Sequence, residues 1–182
     1  MQDKIILGLL LDGDKSSYDL KKNMEASTGY FYNTSQGSIQ PALKKLVQNG
    51  HVTFYEENKG ERVKKVYTIT KEGEKEFLKW VSQGISIDKP REPALVKMFF
   101  FNHVHHDQKV KMIEEYLHEI GKTVFLLKMM KQNSIEQIEK SKKSLDQNKI
   151  KSRMSTLEFG IDYYSFLYSW YEKYVTNLKD EF

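Results

Sequence analysis

TSQGSIQPALKKLVQNG, from Thr34 to Gly50, has the pattern of an amphipathic helix. Ile39, Leu43 and Leu46 lie at i, i+4 and i+7, with Val47 at i+8, so these apolar side chains share one face. Gly50 stands where a left-handed residue would end the helix. The opposite face holds small, polar and basic residues and no carboxylate, namely Gly37, Ser38, Gln40, Lys44, Lys45 and Gln48.

The polar face of this helix matches the chemistry of duplex DNA. Amides and hydroxyls hydrogen-bond to base edges, lysines neutralise phosphates, and small residues permit close approach. An ordinary solvated helix face is the alternative interpretation. Pro41 leaves the start of the helix open, because proline is tolerated only in the first turn. Either Ser38 is the N-cap, or the helix begins near Ser35 and bends at the proline.

The hydrophobic period changes after Gly50 from helical to alternating. Residues 51–56 and 63–70 alternate and are rich in β-forming side chains, and the polar residues 57–62 between them predict a hairpin tip. Two helices are predicted before the central one, and a fourth is predicted after it, capped by Thr70 and with an inner side of Phe77, Leu78, Trp80 and Val81. This order of three helices, hairpin and helix is the layout of a winged helix-turn-helix.

The positive charge is concentrated on the two elements that would reach DNA. From Ser35 to Lys65 there are six basic residues against three acidic ones, an excess of +3. A helix-turn-helix places its second helix in the major groove, and a wing adds backbone contacts. The candidate DNA-binding residues are Ser35, Ser38, Gln40 and Lys44 at the groove, Lys59, Arg62, Lys64 and Lys65 on the wing, and Tyr18 and Lys45 at phosphates.

The C-terminal half is predicted to be wholly helical. Gly84, Pro90 and Pro93 mark a linker, which gives a DNA-binding domain of residues 1–83, a linker of 84–93 and a helical dimerisation domain of 94–182. Residues 94–104 are too apolar for a free surface helix, so we expect them to be buried. Asp107 is expected to cap the next helix, residues 147–149 to form a turn, and the last helix to span 152–179. The fold class is therefore mostly α with a small β-hairpin wing.

The last helix carries apolar residues in a three-four alternation over almost four heptads. A helix apolar on so much of its circumference needs more than one neighbour, and a second subunit would supply it. A two-fold dimer would carry two DNA-binding modules, which fits two-fold operators. A monomeric bundle is the alternative. The candidate dimer-interface residues are Met154, Leu157, Ile161, Tyr164, Tyr168, Tyr171, Val175 and Leu178.

The aromatic side chains of the last helix have two interpretations. They form a dimer core, because tyrosine and tryptophan are favoured at interfaces, or they form a pocket for a planar organic ligand. In the second case Phe31 and Tyr32 would complete a pocket between the domains together with Tyr163 and Trp170. An effector bound there would change the spacing of the two recognition helices.

Several classes of function lack support in the sequence. The chain has no cysteine, no apolar run long enough to span a membrane, no signal peptide, and no P-loop, nucleophile elbow or dinucleotide fingerprint. We therefore expect a cytoplasmic protein that is not an enzyme and needs no cofactor. His103, His105 and His106 are the only metal-like cluster, but their spacing fits no ordinary site, and an exposed turn is the favoured interpretation.

The N-terminal motifs resemble the PadR family of bacterial transcriptional regulators. The matching pieces are ILGLL (6–10), SYDL (17–20), SQGSIQPALKKL (35–46), NGHV (49–52), KVYTITKEG (65–73) and LKW (78–80). TGYFY (28–32) is similar to the longer branch, which includes phenolic-acid-responsive repressors and virulence-gene activators. The C-terminal half agrees through KMFF (97–100) and its aromatic last helix. The family usually has tyrosine where this chain has Gln40, so the operator sequence does not transfer.

The resemblance implies a winged helix, a helical dimerisation domain and operator binding. Together with the residue patterns it leads to a homodimeric, sequence-specific DNA-binding regulator, expected to be a repressor, with release by a small aromatic effector as a further hypothesis. The runner-up is a winged-helix module for protein–protein contact in a helical assembly. A third interpretation is a helical metal-binding protein that uses His103 and His106.

Overall fold

The computed structural model describes residues 1–32, 36–59, 62–85, 92–140 and 146–180. The chain divides into two compact units, Met1–Ile87 and Asp88–Phe182, and each unit has its own hydrophobic core. In sequence the division lies within the predicted linker of residues 84–93. The predicted domain bounds themselves stay a prediction.

The first unit is a three-helix cluster with a small antiparallel sheet and a fourth helix. Its helices are α1 (Gln2–Leu10), α2 (Ser17–Glu25), α3 (Gln36–Gln48) and α4 (Lys71–Val81), and its strands are β1 (Lys15–Ser16), β2 (Val52–Lys59) and β3 (Arg62–Ile69). The strand order is β1-β3-β2, with Ser16 opposite Val66 and Val52 opposite Ile69. The predicted winged-helix order is confirmed. The two-residue strand β1 was not predicted.

The core of the first unit is built on the predicted apolar face of α3. Ile39, Leu43 and Leu46 are 4%, 1% and 3% exposed and pack with buried side chains from α1 and α2. Gly50 has φ of +71°, the left-handed backbone predicted for the end of this helix. The described part of α3 already begins at Gln36, so Ser38 is not its N-cap, and Pro41 lies inside the helix.

The predicted inner side of α4 is only partly right. Phe77 packs against the core, whereas Leu78 and Val81 are 50% and 54% exposed. The reason lies on α1, where a β-carbon at Gly8 would come 2.8 Å from the Phe77 ring. The missing side chain lets one aromatic ring approach α1 closely, and the remaining apolar residues of α4 lie to the side of that contact.

The second unit is a long helical hairpin preceded by short helical turns. It contains α5 (Pro93–Phe99), a 3₁₀ turn (Phe101–His103), α6 (His106–Lys140) and α7 (Gln147–Asp180). Ion pairs join Lys131 to Glu158 and Lys179 to Glu114, so the two long helices are antiparallel. The predicted turn at residues 147–149 is wrong: the Asp146 carboxylate accepts the N–H groups of Asn148 and Lys149 at 2.9 and 3.2 Å, and α7 starts there.

The start of the second unit differs from prediction in two respects. The helix α6 begins at His106, so Asp107 lies in its first turn instead of capping it. The expected burial of residues 94–104 is only partly right within the single chain, where Ala94, Met98 and Val104 pack against the core. Phe101 is buried at 6% exposure, but Leu95, Val96, Phe99 and Phe100 range from 48% to 81% exposed. A seven-residue helix has one side for the hairpin, and its other apolar side chains remain uncovered.

A carboxylate surrounded by tyrosines ties the first residues of this unit to the hairpin. Glu92 caps α5 and accepts a hydrogen bond from the Tyr116 hydroxyl at 2.7 Å, while the Tyr171 hydroxyl lies 3.5 Å away. Burial, followed by the negative charge of Glu92, raises the pKa of Tyr171 to about 12. Burial and the Glu92 hydrogen bond raise the pKa of Tyr116 further. These hydroxyls therefore act as hydrogen-bond donors.

Candidate nucleic-acid interface

The outer face of α3 is exposed, basic and free of carboxylates. Gly37, Gln40, Lys44, Lys45 and Gln48 are all exposed, and Ser38 is partly buried. A β-carbon at Gly37 would meet no atom within 4 Å. Glycine in a helix costs about 0.5–1 kcal/mol relative to alanine, and no contact among the described residues requires it here. Ser35, the remaining predicted groove residue, lies outside the described residues.

A junction of backbone hydrogen bonds sets the position of α3 relative to the wing and α4. The His51 N–H donates to the carbonyl of Leu46 at 2.9 Å, which closes the end of α3. The Thr70 hydroxyl donates to the Gly50 carbonyl at 2.7 Å, and the Thr70 N–H donates to the His51 carbonyl at 3.0 Å. The Thr70 side chain also caps α4 by accepting the Gly73 N–H. One residue thus joins three elements.

The wing presents its predicted basic residues on two different faces. Lys64 and Lys65 are neighbours on β3, so their side chains point to opposite sides of the hairpin. The Lys65 ammonium lies 4.4 Å from the centre of the Phe54 ring, a cation–π contact. Lys59 and Arg62 form the last described pair of the ladder, and their side chains lie outside the described parts of the structure.

Lys64 and Lys65 each also face an acidic residue across the ladder. Glu57 is the cross-strand partner of Lys64, and Glu56 is the partner of Lys65. Opposite charges directly across an antiparallel pair stabilise the hairpin modestly. They also reduce the net positive charge of the wing. Positive charge without a facing carboxylate therefore lies at two places among the described residues, on α3 with Lys44 and Lys45 and at the end of the hairpin where Lys59 pairs with Arg62.

The N-terminus of α2 brings a carboxylate to the base of the wing. Ser16 and Asp19 form a reciprocal capping box. The Lys64 ammonium donates to the same Asp19 carboxylate at 3.1 Å. The Ser16 hydrogen bonds, followed by that of Lys64, lower the pKa of Asp19 to about 2. Next to it, the predicted phosphate contact Tyr18 is 71% exposed.

Sequence reasoning missed Asp19, although half of its signal was visible. Serine followed three residues later by an acidic residue is a capping-box pattern, and Ser16 and Asp19 have that spacing. The contact with Lys64 spans 45 residues and depends on the pairing of β1 with β3. No local pattern predicts that pairing.

The predicted dimer-interface residues of α7 lie inside their own chain. Leu157, Tyr171, Val175 and Leu178 are buried at 1–7% exposure, and Met154, Ile161, Tyr164 and Tyr168 are partly buried. Tyr171 and Val175 share a core with Ile113 and Ile120 of α6. The heptad stripe therefore packs on α6 of the same chain, and a dimer contact through its partly buried residues stays a prediction.

A second apolar ridge of α7 remains exposed. Phe159, Tyr163, Phe166 and Trp170 are 63%, 39%, 62% and 42% exposed, and their spacing of i, i+4, i+7 and i+11 places them on one face. The rings of Phe159 and Tyr163 stack with centroids 6.2 Å apart. Phe125, Leu126 and Met129 of α6 are also exposed, at 45–63%. Exposed apolar surface of this extent is typical of an interaction site.

The predicted effector residues belong to separate units. Phe31 is 51% exposed and contacts Tyr30 edge-on, and Tyr32 is partly buried, both in the first unit. Tyr163 and Trp170 belong to the exposed ridge of α7. A pocket shared by these four residues stays a prediction.

No group of His, Asp and Glu among the described residues is arranged to hold a metal ion. The Nε2 atom of His103 lies 3.0 Å from the side-chain nitrogen of Asn102. In the same described portion, no helix is both long and apolar enough to cross a membrane.

The family model for the transcriptional regulator PadR-like family matches residues 6–79. This range contains α3, the β2–β3 hairpin and the capped start of α2. Residues 6–79 therefore carry a PadR-like domain. The negative transcriptional regulator PadR of Bacillus subtilis (strain 168) is 32% identical over 99 residues. That match spans 53% of this chain and 54% of the relative, about half of each protein.

Solved structures of PadR-like proteins have the same fold along nearly the whole chain. Bacillus subtilis PadR in complex with operator DNA has a TM-score of 0.76 and 25% identity, and covers 97% of this chain and 98% of its own. The PadR-like transcriptional regulator BC1756 from Bacillus cereus has a TM-score of 0.80 and 24% identity over 100% of both chains. Bacillus subtilis PadR in complex with p-coumaric acid has a TM-score of 0.70 and 23% identity, over 97% of this chain and 98% of its own.

Proposed function

We propose that this PadR-like chain is a sequence-specific DNA-binding repressor that acts in the cytoplasm as a homodimer. The observation that carries the proposal is the exposed face of α3, where amide, hydroxyl and lysine groups occur without a carboxylate. The position of this helix in a PadR-like domain supports the same conclusion, since a relative with the same fold was solved on operator DNA.

The groove contacts are assigned to the N-terminal half of α3 and the middle of its outer face. Gln40 is exposed and carries an amide that pairs with an adenine edge, and Lys44 lies one turn further along the same face. Gly37 leaves room for the DNA backbone to approach the helix. Ser38 flanks these residues, and Lys45 and Tyr18 are assigned to phosphates. Ser35, Lys59 and Arg62 keep their predicted roles in this proposal.

Dimerisation is assigned to the apolar surface of the second unit that the single chain leaves exposed. The ridge of Phe159, Tyr163, Phe166 and Trp170 on α7 supplies aromatic side chains, which are enriched at interfaces. A two-fold pair would bring two recognition helices to one operator, as helix-turn-helix dimers do. The interface is therefore a different face of α7 from the heptad stripe that the sequence indicated.

A small aromatic effector is the proposed signal that lowers operator affinity. Its support is a relative of the same fold that was solved with p-coumaric acid, together with the tyrosine-rich hairpin of this chain. An effector shifts the affinity only if it binds the DNA-free conformation more tightly than the DNA-bound one. Titration of aromatic acids against the DNA complex therefore tests this part separately from DNA binding.

The proposed function is tested by the affinity for the gene's own upstream duplex and for random duplex, each measured as a function of salt. We expect log K to fall steeply with log salt and the upstream duplex to be preferred. Lys44→Ala should weaken binding to the upstream duplex, and Lys45→Ala, at an assigned phosphate contact, should reduce the slope by about 0.9, the value for one phosphate charge. The control Lys75→Ala removes an exposed lysine of α4 and should leave the slope unchanged. Absence of binding at low salt would favour the protein–protein module.

A further inference from the structure

A single carboxylate oxygen links the start of α2 to the wing. The Oδ2 atom of Asp19 accepts the Ser16 N–H at 3.1 Å, the Ser16 hydroxyl at 2.5 Å and the Lys64 ammonium at 3.1 Å. The Asp19 and Lys64 side chains are 42% and 36% exposed, so the pair lies at the surface and is partly shielded from water.

The backbone around this oxygen sets the geometry of the pair. Ser16 is 3% exposed and pairs with Val66 in the β1–β3 ladder. Lys64 precedes Val66 by two residues on β3, and side chains two residues apart on a strand share a face. The Asp19 carboxylate therefore reaches from the helix cap to the next same-side position of the wing, and it holds α2 and β3 together beyond the end of β1.

The charges around Lys64 differ from those around the lysines of α3. Lys64 has the Asp19 carboxylate within hydrogen-bond distance and Glu57 as its cross-strand partner. One ammonium thus stands among two carboxylates. Lys44, in contrast, lies on a helix face with no acidic residue in its described length. A lysine already neutralised within the protein releases few counterions when DNA binds, because its charge is not available to a phosphate.

We propose that Asp19 is a positioning residue that holds the Lys64 ammonium in an ion pair within the chain, so that the wing is fixed to α2 and Lys64 makes no phosphate contact. This inference rests on the proposed DNA binding and changes one part of it, since the sequence pattern assigned Lys64 to the DNA backbone. Removal of the Asp19 charge converts Lys64 into a phosphate contact for any duplex, specific or random.

The test is the salt dependence of binding to a random duplex for four proteins: wild type, Lys64→Gln, Asp19→Asn and the double variant. Lys64→Gln should keep the wild-type slope. Asp19→Asn should steepen the slope by about 0.9 because one lysine is released. Asparagine still accepts the Ser16 N–H, so the helix cap is kept. The double variant should return to the wild-type slope, because no lysine remains at position 64.

Three results would overturn the inference. If Lys64→Gln alone lowers the slope by about 0.9, as Lys45→Gln is expected to do, Lys64 is a phosphate contact in the wild type. If Asp19→Asn steepens the slope equally in the presence and absence of Lys64, the effect is the loss of a negative charge and not the release of that lysine. A merely structural role for Asp19 would leave all slopes equal, and this too would reject the proposal.

A wild-type protein that binds no duplex at low salt would refute the proposed function instead. The unfolding equilibrium constants of the same four proteins then test whether the Asp19–Lys64 ion pair exists. We expect a coupling of roughly two- to fivefold between the two substitutions, as for a partly exposed ion pair. Independent effects of the two substitutions would reject the pair as well.

Discussion

A β-carbon at Gly73 would lie 2.0 Å from the carbonyl oxygen of His51. The first turn of α4 therefore packs directly on the backbone that connects α3 to β2. The His51 carbonyl is also the acceptor of the Thr70 N–H. Glycine at this position is required by contact with a backbone oxygen, which cannot move aside as a flexible side chain would.

Gly73→Ala is expected to destabilise the first unit by about 1–3 kcal/mol, because the methyl group forces α4 away from His51 and strains the Thr70 hydrogen bond. Thermal unfolding monitored by circular dichroism measures the loss. The control is Gly84→Ala, where a β-carbon would meet nothing within 4 Å. Equal melting temperatures for wild type and Gly73→Ala would show that the unit relaxes without cost.

Gly37→Ala is expected to affect stability and DNA binding differently. The site has open space for a β-carbon, and alanine favours the helix by about 0.5–1 kcal/mol. We expect an unchanged or higher melting temperature together with weaker operator binding, because the methyl group occupies space that the DNA backbone would approach. A more stable variant with wild-type DNA affinity would place Gly37 away from the interface.

The sequence predicts those parts of the first unit in which a local apolar pattern is compatible with only one structure. The spacing of Ile39, Leu43 and Leu46 determines a buried helical face, and the structure buries all three. The outer face of α3 follows from the same period. The Asp19–Lys64 pair does not follow from any period, because a two-residue strand, β1, sets the distance between α2 and β3.

The second unit shows why a correct pattern does not identify the helix that covers it. The three-four alternation through Leu157, Tyr171 and Leu178 predicts a buried stripe, and the stripe is buried. A heptad pattern is the same whether the covering helix belongs to the same chain or to another, because the packed side chains are identical. Only the antiparallel pairing with α6 distinguishes the two cases, and that pairing depends on the turn between the helices.

Acid should weaken the first unit through Asp19 in a defined pH range. The pKa of this carboxyl is about 2 in the folded chain and about 3.9 when unfolded. A lowered pKa in the folded state means that the stabilisation is complete above about pH 4 and is lost as the pH falls toward 2. Asp3 and Glu76 also have lowered pKa values, so the difference from a variant is the informative quantity.

The free energy of unfolding of wild type and Asp19→Asn should therefore differ by a constant amount above about pH 4, and the difference should shrink between about pH 4 and pH 2. Urea unfolding at closely spaced pH values measures it. The carboxylate is half-exposed, so solvent screening keeps the difference small. A difference that stays constant down to pH 2 would mean that Asp19 has an ordinary pKa and no special hydrogen bonds.

The proposed dimer is best tested on the exposed ridge of α7 and not on the buried stripe. Tyr171 is 1% exposed, so Tyr171→Asp would bury a charge and unfold the hairpin whether or not a dimer exists. Phe166 is 62% exposed in the single chain and can be changed without loss of the fold. We expect Phe166→Asp to reduce the mass in solution from twice 21.5 kDa to that of one chain, since a charge in an apolar interface is costly. Sedimentation equilibrium at matched concentrations measures the mass, and circular dichroism verifies that the helices are intact.

Phe166→Leu keeps an apolar side chain and should remain dimeric. A folded Phe166→Asp protein with the mass of the wild-type dimer would exclude this ridge from the interface and turn attention to the exposed side chains of α5.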